Sequence, residues 1–533
     1  MKPAPSGSAT PPMPDAPRQA RGAADERPYD LVVRHARVAT AGDIFEADIG
    51  IRDGRIAALA RGLPPGAREI DAAGRWVLPG GVDAHCHLAQ KTGDDSVMAD
   101  DFLSGTRSAA CGGTTTVIPF AAQLKGESLV QAVRDYHALA DGRACIDYAF
   151  HMIVSDATPR VTEEELPALI EQGYTSFKIY MTYDDLKLDD RQILDVLYVA
   201  RRHGAMTMIH AESSDCIAWL ADRMLAEGLD TPPYHALSRP PVAEREATHR
   251  AISLAELLDT PILIVHVSGP DAIEQIRWAQ TRGLKIYAET CPQYLFLTAA
   301  DLEGDLLEGA RCICSPPPRD HAAQQAVWNG LANGTFQVFS SDHAPFRFEG
   351  PGGKKPQGDH TSFNHVPNGI PGLETRLPLL FSEGVLDGRM DINTFVALTS
   401  TQPAKLYGLY PRKGTIAIGA DADMVIWDTG ITRVIRNAEL HHNVDYTPYE
   451  GRTVRAWPAI TLSRGQVVYA DGAFHGHSGH GRFLPCERPA PARPRRAAGR
   501  HAPWLAALSR MDPIETGSDG TLPGNDAAAG GSA

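Results

Sequence analysis

The sequence predicts an α/β protein: a (β/α)8 TIM-like barrel carrying a small β-sandwich domain built from both chain ends. Three observations lead there. Short apolar, β-branched runs alternate with helical patterns through the middle of the chain. A second texture of hairpin-like strands occupies residues 29–76 and returns within 409–485. Ligand-type polar side chains close several of the middle strands at their C-terminal ends, the end where barrels assemble chemistry.

The elements follow in chain order. Residues 1–28 are rich in Pro, Ala, Gly and charge, without the apolar stretch of a secretory signal, and are expected to be a disordered tail. Runs at 31–33, 37–39, 48–51 and 55–57 read as strands, and Asp53-Gly54 is a hairpin-turn dipeptide between two of them. Neither this texture nor its downstream return at 414–418, 423–427 and 466–469 looks self-sufficient. One β domain assembled from both ends is the economical solution. Between them, over 77–408, lies the barrel. Its eight runs fall at 76–78, 114–119, 145–154, 176–180, 205–209, 261–267, 284–288 and 335–339, with helical patterns such as 193–202 and 245–258 between. Residues 486–533 return to Pro, Arg and Ala, a C-terminal tail unable to bury much surface alone. A weak helical pattern at 501–511 could dock on a neighbouring subunit.

Composition removes several classes. Of 533 residues, 43% are hydrophobic, ample for a large core. The net charge of −14 argues against a nucleic-acid partner, which calls for a basic face. No apolar run approaches the roughly 18 residues that cross a bilayer, so no membrane partner is expected. Eight cysteines are too few for a disulfide framework and read as small buried thiols in a reducing cytoplasm.

The strand ends carry the chemistry. Asp83, His85 and His87 alternate along the first, so they share one face, and two imidazoles can chelate one cation. His210 with Glu212 closes the fifth, His266 the sixth, and Asp342 with His343 the eighth. Lys178 lies inside the apolar fourth run, where an unpaired ammonium is costly. Four imidazoles and a carboxylate suit Zn²⁺, Mn²⁺, Co²⁺, Ni²⁺ or Fe²⁺, with Zn²⁺ the usual choice for hydrolysis. A desolvated lysine of depressed pKa can be neutral, add CO₂ and become a carbamate with two oxygens able to bridge two metals.

On these residues the chain resembles the dihydropyrimidinase and D-hydantoinase family of cyclic amidohydrolases, within the metal-dependent amidohydrolase superfamily. The matching strings include Gly80-Gly81-Val82-Asp83-Ala84-His85-Cys86-His87, Ser176-Phe177-Lys178-Ile179-Tyr180-Met181-Thr182-Tyr183, His210-Ala211-Glu212, His266-Val267-Ser268, Glu289-Thr290-Cys291-Pro292-Gln293-Tyr294, Ser315-Pro316-Pro317, Ser341-Asp342-His343 and Pro367-Asn368-Gly369. With further strings downstream they cover about residues 29–485. The resemblance implies one metal held by His85, His87, carboxylated Lys178 and Asp342, a second by Lys178, His210 and His266, and a hydroxide between them. It makes Asp342 the proton shuttle, the Tyr183 hydroxyl a donor to the developing oxyanion, and Ser315 and Asn368 the readers of the cyclic imide. Asp83 and His343 fall to supporting roles. The implied reaction opens –CO–NH–CO– in 5,6-dihydrouracil, dihydrothymine or 5-substituted hydantoins to an N-carbamoyl amino acid. Family habit implies a homotetramer.

Two departures bear on substrate. Ala89 stands where a dihydroorotase is expected to place an arginine for its substrate carboxylate, and the loop 90–101 is polar and acidic, without the bulky apolar residues often found there in hydantoinases. The rival readings are allantoinase or another cyclic ureide hydrolase, which shares the metal site, and a non-catalytic dihydropyrimidinase-like scaffold protein. The chain keeps all six ligand positions and Tyr183, which ranks the scaffold low.

Overall fold

The computed structural model describes residues 27–92, 96–304, 307–350 and 352–495, together with 503, 504 and 507. The expected tails lie outside the described residues over 1–26 and, those three positions apart, from 496 onward. The pattern at 501–511 is likewise mostly outside them.

Eight parallel strands form the barrel: Gly81–Cys86, Thr114–Ala122, a third split into Asp147–Tyr148 and His151–Ile153, then Ser176–Tyr180, Met206–His210, Ile262–Ile264, Ile286–Thr290 and Val338–Phe339. Each pairs with the next, and a parallel bridge from Cys86 to His343 joins the eighth to the first. Nearly every residue in these strands is buried, as expected where a parallel sheet is covered on both faces. The helices between them follow from the sequence. Asp190–His203 opens on Asp189, whose side chain accepts from the Gln192 backbone N–H, and stops at Gly204 in a left-handed conformation.

Nine strands form the second sheet, five from the N-terminal part and four from Met424 onward, with Trp76–Pro79 pairing both to Leu31–Ala39 and to Met424–Asp428. Leu31, Val33, Ile49, Ile51, Met424, Ile426 and Leu462 join in one buried cluster, so the two chain ends share a core. Asp53 and Gly54 both take positive φ (51° and 74°), the backbone of a tight hairpin turn.

Three expectations need correction. The run at 76–78 is a strand of this sheet, and the first barrel strand is Gly81–Cys86. An apolar β-branched run suits either sheet, and only its partners decide. The stretch 414–418 forms no strand: the chain bends and turns there, next to Lys413, whose side chain is held by Asp147, Asp421 and Asp423 at 2.7, 3.1 and 2.7 Å. Finally, the segment after 485 is packed as far as Arg495. Cys486 and Ala492 join Val82, Met206, Leu263 and Val338 in one buried cluster, and Arg495 pairs with Asp259 at 2.5 Å. A segment too polar to make its own core borrows one from beneath the barrel.

Candidate active site

The C-terminal strand ends converge. His85 Nε2 lies 2.7 Å from Lys178 Nζ and 3.1 Å from Asp342 Oδ1, and His87 Nε2 lies 3.5 Å from the same oxygen. His210 Nδ1 and His266 Nε2 face each other at 2.9 Å, and the His85 and His266 rings are 5.5 Å apart. All six expected ligand positions therefore meet in one buried pocket, and His85, His87 and Asp342 present donor atoms within 4.8 Å of one another.

Neighbouring groups aim these side chains. Glu289 Oε1 sits 2.6 Å from His85 Nδ1, Gln90 Oε1 sits 2.6 Å from His87 Nδ1, and Glu212 Oε2 sits 2.7 Å from His210 Nε2. Each acceptor holds the ring proton on its own side and leaves the opposite nitrogen's lone pair for the centre. Arg239 bonds Glu212 at 3.1 Å, and Gln293 Nε2 donates to Asp342 Oδ2 at 3.4 Å. Asp83 Oδ1 accepts the backbone N–H groups of His85 and Ser341, both at 3.2 Å, which ties the first strand to the eighth. His343 lies 3.1 Å from Asp100. Of these, Glu289, Gln90 and Arg239 carried no assigned role in the sequence. Glu289 sits at the C-terminal end of the seventh strand, so the rule that found the histidines also points to it.

Burial dominates the electrostatics. It pulls the imidazoles of His85, His210 and His266 below their ordinary pKa, which keeps them neutral with lone pairs available. It pulls the Lys178 ammonium down to about 8. Among the described residues Lys178 makes no ion pair, and its Nζ lies 4.8 Å and 4.9 Å from the Phe120 and Tyr180 ring centres. Burial raises the Asp342 carboxyl, but the facing His85 and His87 outweigh it and hold it well below the carboxylate range. Burial pushes the Tyr183 phenol up to about 12, so it keeps its proton. A buried set of four imidazoles, one carboxylate and one amine without an ion-pair partner among the described residues, with His210 Nδ1 and His266 Nε2 turned toward each other, is a donor set that fits divalent cations.

The remaining expected residues adjoin it. The Tyr183 ring is 5.3 Å from the His210 ring, and Ser315 Oγ lies 3.5 Å from His235 Nε2. Asn368 lies next to the segment that carries Ser315, because Gly369 N–H donates to Ile313 O at 3.1 Å. Gly369 has φ +145°, and a Cβ there would lie 2.4 Å from the Ala344 Cβ, so glycine is required for this approach. The Asn368 side-chain oxygen is buried without a partner. Ala89 takes a positive φ of 49°, and no arginine stands there.

The model of the amidohydrolase family matches residues 76–468. The D-hydantoinase of Ralstonia pickettii is 43% identical over 456 residues, which span 85% of this chain and 98% of that one. The D-hydantoinase of Geobacillus stearothermophilus is 46% identical over 456 residues, 85% and 96% of the two chains. The crystal structure of dihydropyrimidinase from Brevibacillus agri NCHU1002 superposes with a TM-score of 0.84 at 43% identity, covering 86% of this chain and 99% of that one. The fold, the site and these likenesses agree: the chain belongs to the amidohydrolase family, whose members are metal-dependent hydrolases. Within it the chain is of the D-hydantoinase and dihydropyrimidinase kind, enzymes that hydrolyse cyclic amides.

Proposed function

We propose that the protein opens cyclic imides of the –CO–NH–CO– type, converting 5,6-dihydrouracil, dihydrothymine or a 5-substituted hydantoin to the N-carbamoyl amino acid. The observation that carries this reading is the convergence of His85, His87, Lys178, His210, His266 and Asp342 at the C-terminal mouth of one barrel. His85, His87, Lys178 and Asp342 would hold one Zn²⁺, and Lys178, His210 and His266 a second, with Lys178 carrying a CO₂-derived carbamate. When bound, such a cation pair lowers the pKa of water and polarises the amide carbonyl.

The chain's own groups do the rest. Asp342, kept ionised, takes the proton of the attacking water and passes it to the ring nitrogen as the C–N bond breaks. The Tyr183 hydroxyl, kept protonated, donates to the oxygen that gains charge. Ser315 and the unpartnered Asn368 oxygen read the imide, an N–H flanked by two carbonyls. The absence of an arginine at Ala89 favours a neutral ring over an acid-bearing one.

The homotetramer rests on the resemblance; exposed Trp219, Leu237 and Val242, on the helices Ser214–Ala226, Pro233–Ser238 and Pro241–Leu258, are apolar side chains that association of copies would cover. Eight free cysteines, seven of them buried, support a cytoplasmic setting. No helix among the described residues is long and apolar enough to cross a membrane.

The test is a panel of dihydrouracil, dihydrothymine, hydantoins and allantoin on zinc- and bicarbonate-supplied enzyme, with metal analysis and light scattering. Ring opening of the first three, with two cations per chain, is the expected result. Allantoin as the sole substrate would replace this reading with its allantoinase rival.

A further inference from the structure

The segments that carry Ser315 and Asn368 reach the site from different parts of the chain, so something must fix the distance between them. Lys354 is fully buried on the loop between, and its Nζ donates to Ile313 O at 2.8 Å and to Pro367 O at 2.7 Å. These carbonyls lie two residues before Ser315 and one before Asn368. Ile313 O also accepts the Gly369 N–H, so two donors meet at one oxygen. Other contacts hold one segment only: His235 Nε2 lies 2.9 Å from Cys314 O, and the Tyr294 hydroxyl donates to Pro316 O at 2.9 Å. Among the described residues Lys354 is the one side chain hydrogen-bonded to both segments.

Its setting separates it from an ordinary buried lysine. Lys413 faces three carboxylates, whereas Lys354 makes no ion pair among the described residues. Burying an amine against two main-chain carbonyls costs solvation that no charge partner returns. Its own loop is held independently, by Lys354 N–H donating to Arg347 O at 2.8 Å and by Asp445 accepting from the backbone N–H groups of Phe348 and Glu349 at 2.7 and 3.0 Å.

We infer that Lys354 is a positioning residue for substrate recognition: its terminal amino group, donating to both segments, sets the spacing between the Ser315 and Asn368 segments, and with it the fit of the enzyme to a cyclic imide. This rests on the proposed reading of Ser315 and Asn368 as the imide's partners. The Lys354 amino group contacts Ile313 O, Pro367 O and the Phe346 ring face, not the cluster of six or Tyr183, so its loss should weaken substrate binding and leave the chemical step in place.

The experiment compares wild type, Lys354→Met and Lys354→Gln, with Ser315→Ala and Asn368→Ala as references, on a cyclic imide and on the lactam that lacks its second carbonyl. For Lys354→Met we expect KM for the imide to rise at least tenfold, kcat to stay within about threefold, metal content to be unchanged, and the imide-over-lactam preference to collapse. Lys354→Gln, which keeps a shorter donor, should fall between. If Lys354→Met does not fold, Lys354→Gln is read by the same criteria. Unchanged KM and preference in a folded, metal-loaded variant would overturn the inference, as would a parallel loss of kcat, metal and thermal stability, which marks a merely structural lysine. Should Ser315→Ala and Asn368→Ala themselves leave KM unchanged, the underlying reading of those two residues fails instead.

Discussion

Replacing Lys178 with alanine tests the centre of the proposal, and the structure sets the sizes. Burial brings the ammonium from an ordinary value near 10.5 to about 8. At pH 8 about half of the side chain is then neutral, roughly a hundredfold more than for an exposed lysine, which is the form that adds CO₂. The same shift means that the charged form disfavours the metal-free fold by about 3 kcal/mol. Alanine removes that cost and also removes methylene packing between Phe120 and Tyr180, about 0.8 kcal/mol for each group lost. The two effects oppose each other at similar size, so metal-free Lys178→Ala should unfold within a few degrees of metal-free wild type. Activity should behave otherwise. Loss of the one group shared by both cation sites should lower kcat/KM at least about 10³-fold, some 4 kcal/mol of transition-state stabilisation, with cation content below one per chain. Acetate or propionate, small enough for the space vacated, should restore part of the activity if the natural group is a carbamate, and methylamine should not. A variant that keeps two cations and more than a tenth of the activity, or one rescued by the amine alone, would refute the assignment.

Further outcomes follow from single contacts. Tyr183→Phe should lower kcat about 10²-fold with KM little changed in steady-state assays, since the phenol acts on charge that develops in the transition state. Lys413→Met should cost about 3–5 kcal/mol in urea unfolding, because Asp423 loses the ion-pair partner it has among the described residues, while Asp147 keeps Arg464 and Asp421 keeps Arg412. His235 is buried neutral with its pKa lowered to about 3, so the fold loses stability as pH falls from about 6.5 toward 3, by up to about 1.4 kcal/mol per pH unit. His235→Gln should therefore flatten the dependence of the melting temperature on pH between 6.5 and 4.5, and an unchanged slope would contradict the buried neutral assignment.

Much of the site was legible because barrel chemistry has a fixed address. A histidine or aspartate at the C-terminal end of a β-type run is visible in a linear chain, and His85, His210, His266 and Asp342, which the structure brings together, stand out that way. What could not be read is which sheet a run joins. Residues 76–78 and the barrel strands have the same composition, and only pairing to Leu31–Ala39 and Met424–Asp428 separates them. Aiming groups were hidden for a related reason. Gln90 and Arg239 look like loop residues until the fold brings them to His87 and Glu212. Lys354, in a Gly-Gly-Lys-Lys-Pro stretch, looks like exposed charge, and nothing local distinguishes it from Lys355, which does face solvent-side acids.

Backbone strain shows why those hidden groups matter. Tyr183, His266 and Asp342 all have positive φ (68°, 40° and 46°), a region that costs a non-glycine residue about 1–3 kcal/mol. Three such residues around one pocket persist only if their surroundings over-determine them. At Asp342 the constraint is visible on both sides: Ser341 N–H is held by Asp83, and His343 N–H by the Ser341 hydroxyl at 3.0 Å. At His266 the N–H is held by Glu289 at 3.2 Å, the same carboxylate oxygen that aims His85. One buried carboxylate thus sets both the strained backbone of one proposed ligand and the ring orientation of another. Glu289 accordingly couples the two proposed cation sites through the protein, independently of Lys178. Burial pushes the Glu289 carboxyl up to about 8. Glu289→Gln keeps the shape and can still accept the His266 N–H through its carbonyl oxygen, but it cannot ionise to face His85 when a cation is held there. It should therefore reduce occupancy of the His85 site more than that of the His210–His266 site, whereas a group serving only to fill space would leave both alike.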